Sequence, residues 1–108
     1  MFYDETKAII ACDEDPSLIF ELLKEEHIYL IDKILSRKTF DINVTDNQGN
    51  SILMRLLKKG CYDVVLKHMK DKRWDINHQN NDGDTFAHIL VAMNYVNVVD
   101  IIKTLKKN

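Results

Sequence analysis

Short apolar stripes alternate with polar turns along the chain, and this pattern predicts pairs of short helices. One stripe runs from about Ser51 to Lys59, with an N-cap residue at its start and Gly60 as a left-handed C-cap at its end. A second helix is predicted over about Tyr62 to Lys70. Helices of two to three turns are not stable in isolation. Each pair is therefore expected to bury its apolar side against a neighbouring pair.

The helix-pair pattern recurs at an offset of 34 residues, so the chain contains an internal repeat. Asp41-Ile42-Asn43 returns as Asp75-Ile76-Asn77, and Gly49 returns as Gly83. The other matching pairs are Ser51 with Thr85, Phe40 with Trp74, Leu56 with Leu90, and Val64-Val65 with Val98-Val99.

One period earlier, Pro16-Ser17, Leu22-Leu23 and Leu30-Ile31 keep the register, although the Asp-Ile-Asn and Gly landmarks are missing. We therefore predict one domain over residues 1–108, because a chain of this length cannot bury two full-sized cores. Its predicted parts are a capping segment (1–16), a degenerate copy one (about 17–43), copy two (about 44–77) and copy three (about 78–108).

The repeated residues resemble the ankyrin motif. Asp46-Asn47-Gln48-Gly49-Asn50-Ser51-Ile52-Leu53 matches the motif's opening in copy two, and Asn80 to His88 matches it in copy three. The period of 34 departs from the family's usual length of roughly 33, and Ile52 and Phe86 stand where the family has proline. The resemblance implies an all-α ankyrin solenoid of stacked antiparallel helix pairs joined by β-hairpin-like turns. It also implies protein–protein recognition without chemistry.

Charge is uneven along the chain, although the net charge is only −2. Residues 1–32 carry nine acids against Lys7 and Lys24, which gives −7, and the remainder carries +5. Such a balance supplies no overall basic field for nucleic acid or an acidic membrane. No apolar run approaches the roughly 20 residues that span a bilayer. We expect a cytoplasmic protein in which Cys12 and Cys61 are free thiols.

Candidate reactive residues have structural interpretations. His88 lies near Thr85, and the resemblance implies that it bonds the Thr hydroxyl and the backbone of the next hairpin. The substitution His88→Ala is therefore expected to lower the free energy of unfolding by roughly 1–2 kcal/mol. His27 and Cys61 occupy one column of the repeat, but adjacent helices about 8–10 Å apart separate them too far for one metal ion. Glu21 and Arg55 share another column and are expected to pair. We predict no catalytic residue, metal or cofactor.

Residues for partner binding are carried over from the family's contact positions at the turn tips and the ends of the first helices. Trp74 is added because a large aromatic beside Arg73 would anchor an interface if exposed, the other interpretation being core packing. The scattered bases Lys58, Lys59, Lys67, Lys70, Lys72 and Arg73 form either a solvated face or a site for an acidic or phosphorylated peptide. The predicted binding residues are Asn47, Gln48, Asn50, Lys58, Lys59, Trp74, Asn81, Asp82, Asp84, Ala92 and Met93.

The predicted function is a non-enzymatic module that binds an unidentified protein or peptide on a concave face. The alternative is an N-terminal docking or regulatory arm of a larger protein. It rests on Ile101, Ile102 and Leu105 in the last helix, which no polar capping copy covers. Self-association through that end would follow from the same exposed residues.

Overall fold

The computed structural model describes residues 4–93 and residue 103, and the architecture in this part of the chain is helical. An isolated antiparallel bridge between Thr45 and Ser51 is the one β-type pairing among the described residues. The helices are α1 (Glu5–Glu14), α2 (Leu18–Lys24), α3 (Ile28–Leu35), α4 (Ile52–Lys59), α5 (Tyr62–His68) and α6 (Phe86–Met93). The predicted all-α repeat fold is confirmed.

Local signals set the ends of α4 as the sequence predicts. The Ser51 hydroxyl accepts a hydrogen bond from the Met54 N–H at 3.3 Å, and Gly60 ends the helix in the left-handed conformation with φ of 86°. The second helix of the pair, α5, ends at His68, two residues before the predicted Lys70. The predicted positions of Val98-Val99 and of Ile101, Ile102 and Leu105 lie outside the described residues.

The polar turns before α4 and α6 have the same backbone. Gly49 has φ of 79° and Gly83 has φ of 81°, a region that only glycine adopts readily. The Asp46 carboxylate accepts hydrogen bonds from the Gln48 and Asn50 N–H groups, both at 2.9 Å. Asn80 makes the corresponding bonds to residues 82 and 84, both at 3.0 Å. The repeat offset therefore marks a true structural repeat.

The helices form antiparallel pairs around one core, with α4 in the centre. α2 packs on α3, α4 packs on α5, and α4 also contacts α2 on one side and α6 on the other. Leu53, Leu56 and Leu57 of α4 are fully buried because both neighbours cover this helix. α1 packs on the first pair, where Lys33 bonds Glu5 and Arg37 bonds Asp13 at 2.7 Å.

Charged side chains hold copy one to copy two. His68 Nε2 lies 2.6 Å from Asp32 Oδ1, and Lys67 donates to Asp32 Oδ2 at 3.1 Å. The Arg73 guanidinium, which Asp71 orients, donates to the carbonyls of residues 35, 37 and 40 at 3.0–3.1 Å. These carbonyls lie at and just beyond the end of α3, where a helix leaves acceptors unpaired. Arg73 therefore caps the first pair from the following copy.

Neutral polar contacts hold copy two to copy three. Asn80 Nδ2 donates to Asn50 Oδ1 at 2.9 Å, and the Asn81 N–H donates to the Gln48 carbonyl at 2.9 Å. His78 Nε2 lies 2.7 Å from the Gly49 carbonyl. The two turns are thus stacked on each other through direct hydrogen bonds.

Candidate functional site

A cleft of about 610 Å³ lies between α2 and the turn that leads into α4. One wall is formed by residues of α2, and the other by the turn of copy two and the exposed side of α4. Four of the predicted binding residues line it, namely Asn47, Gln48, Asn50 and Lys58, but Asn50 is buried, so three of them present their side chains to the cleft, Asn47, Gln48 and Lys58. These side chains are exposed. The structure therefore brings part of the predicted set to one concave site.

The floor of the cleft is an ion pair beside an aromatic ring. Arg55 Nη1 donates to Asp46 Oδ2 at 2.6 Å, and the guanidinium lies 5.8 Å from the centre of the Phe20 ring. Burial alone would raise the pKa of Asp46, but hydrogen bonds from Arg55 and from two backbone N–H groups outweigh it and hold this pKa below its ordinary value. The Asp46 carboxylate therefore stays charged, and its charge is satisfied within the cleft.

The ion-pair partner of Arg55 differs from the predicted one. The predicted partner was Glu21, which lines the cleft beside it, but the arginine bonds Asp46 instead. The reason is that Asp46 is already fixed by its own turn, nine residues before Arg55. Glu21 is left exposed, with no ion pair to any residue that the structure describes.

Two lysines stand at the rim of the cleft. Lys24 ends α2, and Lys58 lies one repeat period later near the end of α4. Both side chains are exposed, and within residues 4–93 neither forms an ion pair. The side-chain amides of Asn47 and Gln48 likewise have no hydrogen-bond partner in the described part of the chain. The rim therefore presents unpaired cations and free amide groups.

Residues 53–105 match the family model described as "Ankyrin repeats (many copies)". Over this stretch the chain belongs to the ankyrin repeat family. A search of curated proteins and a search of solved structures each gave no match. Ankyrin repeats generally mediate protein–protein interactions, and the family is typically not enzymatic.

Two of the predicted partner-binding residues have buried side chains, one carried over from the family's contact positions and one added as a possible exposed anchor. Asn50 is 1% exposed, and its oxygen accepts the bond from Asn80. Trp74 is 6% exposed and packs edge-on against Phe86, with ring centroids 4.9 Å apart. Trp74 follows the core-packing interpretation because it packs against Phe86 of copy three, and its repeat equivalent Phe40 is buried as well.

The other ankyrin positions lie on the surface but do not line the cleft. Asn81 is partly committed to stacking, because its Nδ2 donates to the Asn47 carbonyl at 3.2 Å. Lys59 pairs with Glu26 at 3.3 Å. Asp82 and Ala92 are exposed, whereas Asp84 and Met93 are half-buried. Their role in binding stays a prediction.

The six scattered bases do not form one patch. Lys67 is paired with Asp32, Lys59 with Glu26, and Arg73 is occupied by carbonyl groups and Asp71. Lys58, Lys70 and Lys72 are exposed or nearly so on different elements. The junction of copies one and two therefore uses half of these charges, and the remaining three are exposed lysines.

His88 has the predicted contact within its own ankyrin copy. Its Nδ1 lies 2.8 Å from the Thr85 hydroxyl and accepts from the Thr85 N–H at 3.1 Å. Its predicted bond to a following hairpin stays a prediction. The described residues contain no group of three or more His, Cys, Asp or Glu side chains placed to hold a metal ion.

The two cysteines are not disulfide-bonded, as predicted. Burial, with Asp13 and Asp15 nearby, raises the pKa of Cys12 to about 11. Burial also raises the pKa of Cys61, against a smaller opposing effect of Lys59. Both groups are therefore held as thiols, which are poor nucleophiles.

Sequence reasoning assigned no binding role to the other residues of the cleft, among them Phe20, Lys24 and Arg55. Phe20 and Lys24 were missed because copy one lacks the turn landmarks, so no contact positions were carried over to it, and Arg55 was assigned only to an ion pair. The 34-residue offset from Lys24 to Lys58 was the signal that could have identified Lys24.

None of the helices that the structure describes is both long enough and apolar enough to cross a membrane.

Proposed function

We propose that this chain is a non-enzymatic interaction module that binds a partner protein or peptide on its concave face, in the cleft between α2 and the turn of copy two. The observation that carries the proposal is the cleft itself, about 610 Å³ in volume, with the predicted residues Asn47, Gln48 and Lys58 on its rim. A pocket of this size takes a short segment of peptide.

The rigidity of the cleft supports the same function. The turn is held by Asp46 and by the stacked turn of copy three, so Asn47 and Gln48 are positioned before a partner arrives. A preorganised site loses less conformational entropy on binding. Free amide groups on such a turn can pair with the N–H and C=O groups of a peptide backbone.

Selection of random peptides on the full chain tests the proposal. We expect selected peptides to lose binding to the triple variant Asn47→Ala, Gln48→Ala, Lys58→Ala, because these changes remove the rim. The matched control is Asn77→Ala, Gln79→Ala, Lys70→Ala, which removes the same three residue types at exposed positions that do not line the cleft. Peptides that bind the rim variant as tightly as the unchanged chain would contradict the proposal.

A second candidate is the docking or regulatory arm of a larger protein. One observation favours it: Val91 of α6 is 72% exposed, whereas its repeat equivalent in α4, Leu57, is fully buried by the next copy. This face of α6 would accept a further helix pair. Sedimentation of the chain with and without Val91→Glu tests this second candidate, because stacking through this face predicts self-association that the charge abolishes.

Cytoplasmic localisation and the four-part division of the chain stay predictions.

A further inference from the structure

The cationic rim of the cleft specifies a partner chemistry. Lys24 and Lys58 are related by one repeat period and occupy equivalent ends of α2 and α4. The third position of this column is Ala92, so the row of cations has two members. Both lysines are free of ion pairs within the described residues, whereas Arg55 below them is neutralised by Asp46.

Because Lys24 and Lys58 lie on two helices in contact, α2 and α4, the separation expected for packed helices favours one peptide conformation. Neighbouring packed helices lie about 8–10 Å apart, and equivalent residues on them are separated by about the same distance. A polyproline II peptide has three residues per turn and rises about 3.1 Å per residue, so side chains three apart face the same side at about 9 Å. A β-strand places same-side residues at about 6.6 Å and 13 Å, which fits less well.

From this geometry we infer that the cleft binds an extended acidic peptide in which two carboxylates three residues apart pair with Lys24 and Lys58, while Asn47 and Gln48 hold the intervening backbone. This inference rests on the proposed function, because it names the partner of the same cleft. Glu21 is the one unpaired acid that lines the cleft, and it opposes an acidic ligand. Its removal should therefore strengthen binding.

Fluorescence anisotropy with labelled peptides on the full chain tests the inference. The probes are short proline- and alanine-containing peptides with two Glu residues three apart, two Glu residues two apart, or two Gln residues three apart. We expect the first peptide to bind most tightly, and to weaken as salt is added because the ion pairs are exposed. Equal binding of the two Glu spacings would overturn the conformational part of the inference.

Variants separate the two lysines from general electrostatics. Lys24→Gln and Lys58→Gln should each weaken the first peptide about two- to fivefold, the range for an exposed ion pair. Glu21→Gln should tighten it by a similar factor. The control Lys38→Gln, Lys70→Gln has the same charge change as the double variant Lys24→Gln, Lys58→Gln, at positions outside the cleft. A control that loses as much affinity as Lys24→Gln, Lys58→Gln would overturn the inference.

Failure of the inference about the acidic peptide can be distinguished from failure of the proposed function. If the Gln peptide binds as tightly as the Glu peptide and still requires Asn47 and Gln48, the cleft binds peptides but not through carboxylates, and the inference is overturned alone. If no peptide depends on any residue of the cleft, both are overturned. Thermal melts of the lysine variants should match the unchanged chain, because neither side chain has an ionic partner among the described residues.

Discussion

Alanine at Gly49 tests the stacking of the two turns, and Gly83 supplies the matched control. Both glycines have nearly the same positive φ, 79° and 81°. A Cβ at Gly83 would meet no atom within 4 Å. A Cβ at Gly49 would lie 2.6 Å from Asn81 Oδ1 and 2.9 Å from the Asn81 backbone N. The two substitutions therefore share the backbone strain and differ in the contact with the next turn.

The expected losses follow from these contacts. The left-handed backbone costs a side chain about 1–2 kcal/mol, and the reduced freedom of the unfolded chain offsets about 0.4–1 kcal/mol. Gly83→Ala should therefore lower the free energy of unfolding by about 1 kcal/mol. Gly49→Ala should also disturb the two hydrogen bonds from Asn81 to residues 47 and 48, at about 0.5–1.5 kcal/mol each. Its total loss should be about 2–4 kcal/mol.

Urea unfolding followed by the fluorescence of the buried Trp74 measures both losses. The reasoning also predicts that Gly49→Ala costs less in an Asn81→Ala background, because the nearest clashing atom belongs to that side chain. Equal losses for Gly49→Ala and Gly83→Ala would refute the stacking of the turns, since backbone strain alone would then explain both.

Three further predictions concern the polar contacts. Arg73→Ala should lower the free energy of unfolding by about 2–3 kcal/mol in urea melts, and Arg73→Lys should recover less than half, because lysine lacks the planar fork that spans several carbonyls. Burial alone would raise the pKa of Asp32, but bonds from His68 and Lys67 keep it low; this group therefore stabilises the fold above the ordinary carboxyl range, and stability should fall as pH falls through the lowered pKa. Asp32→Asn should flatten that acid limb of the urea midpoint against pH, and an unchanged limb would contradict the pairing. His88→Ala should cost about 0.5–1 kcal/mol in a thermal melt, at or below the low end of the sequence-based value, because the exposed Thr85 N–H can bond water instead.

The repeat and its turns could be predicted from sequence because they depend on local chemistry. A glycine after a polar Asp or Asn, followed by a hydroxyl residue, specifies a turn and an N-cap in any setting. Gly49, Ser51 and Gly60 therefore have the predicted conformations. A repeated pattern carries the same information twice, which made the family recognisable before any contact was known.

The long-range partners of charged residues could not be predicted in the same way. Arg73 belongs to a loop whose target, the end of α3, is more than thirty residues away in sequence. Arg55 had two acids within reach in the repeat, and only the folded turn brings Asp46 rather than Glu21 to its guanidinium. The burial of Asn50 and Trp74 likewise depends on how closely neighbouring copies pack.

The first junction of the array contains ion pairs as well as the neutral hydrogen bonds of Asn43, whereas the second is held by neutral amide contacts, so ionic strength should act more strongly on the first. Salt screens the charges between Asp32 and Lys67 and between Glu26 and Lys59, which join copy one to copy two. It leaves the amide-to-amide bonds between Asn50 and Asn80 untouched. The boundary that the cleft spans is therefore the one whose stability should depend on salt, by about 0–1 kcal/mol for each exposed pair.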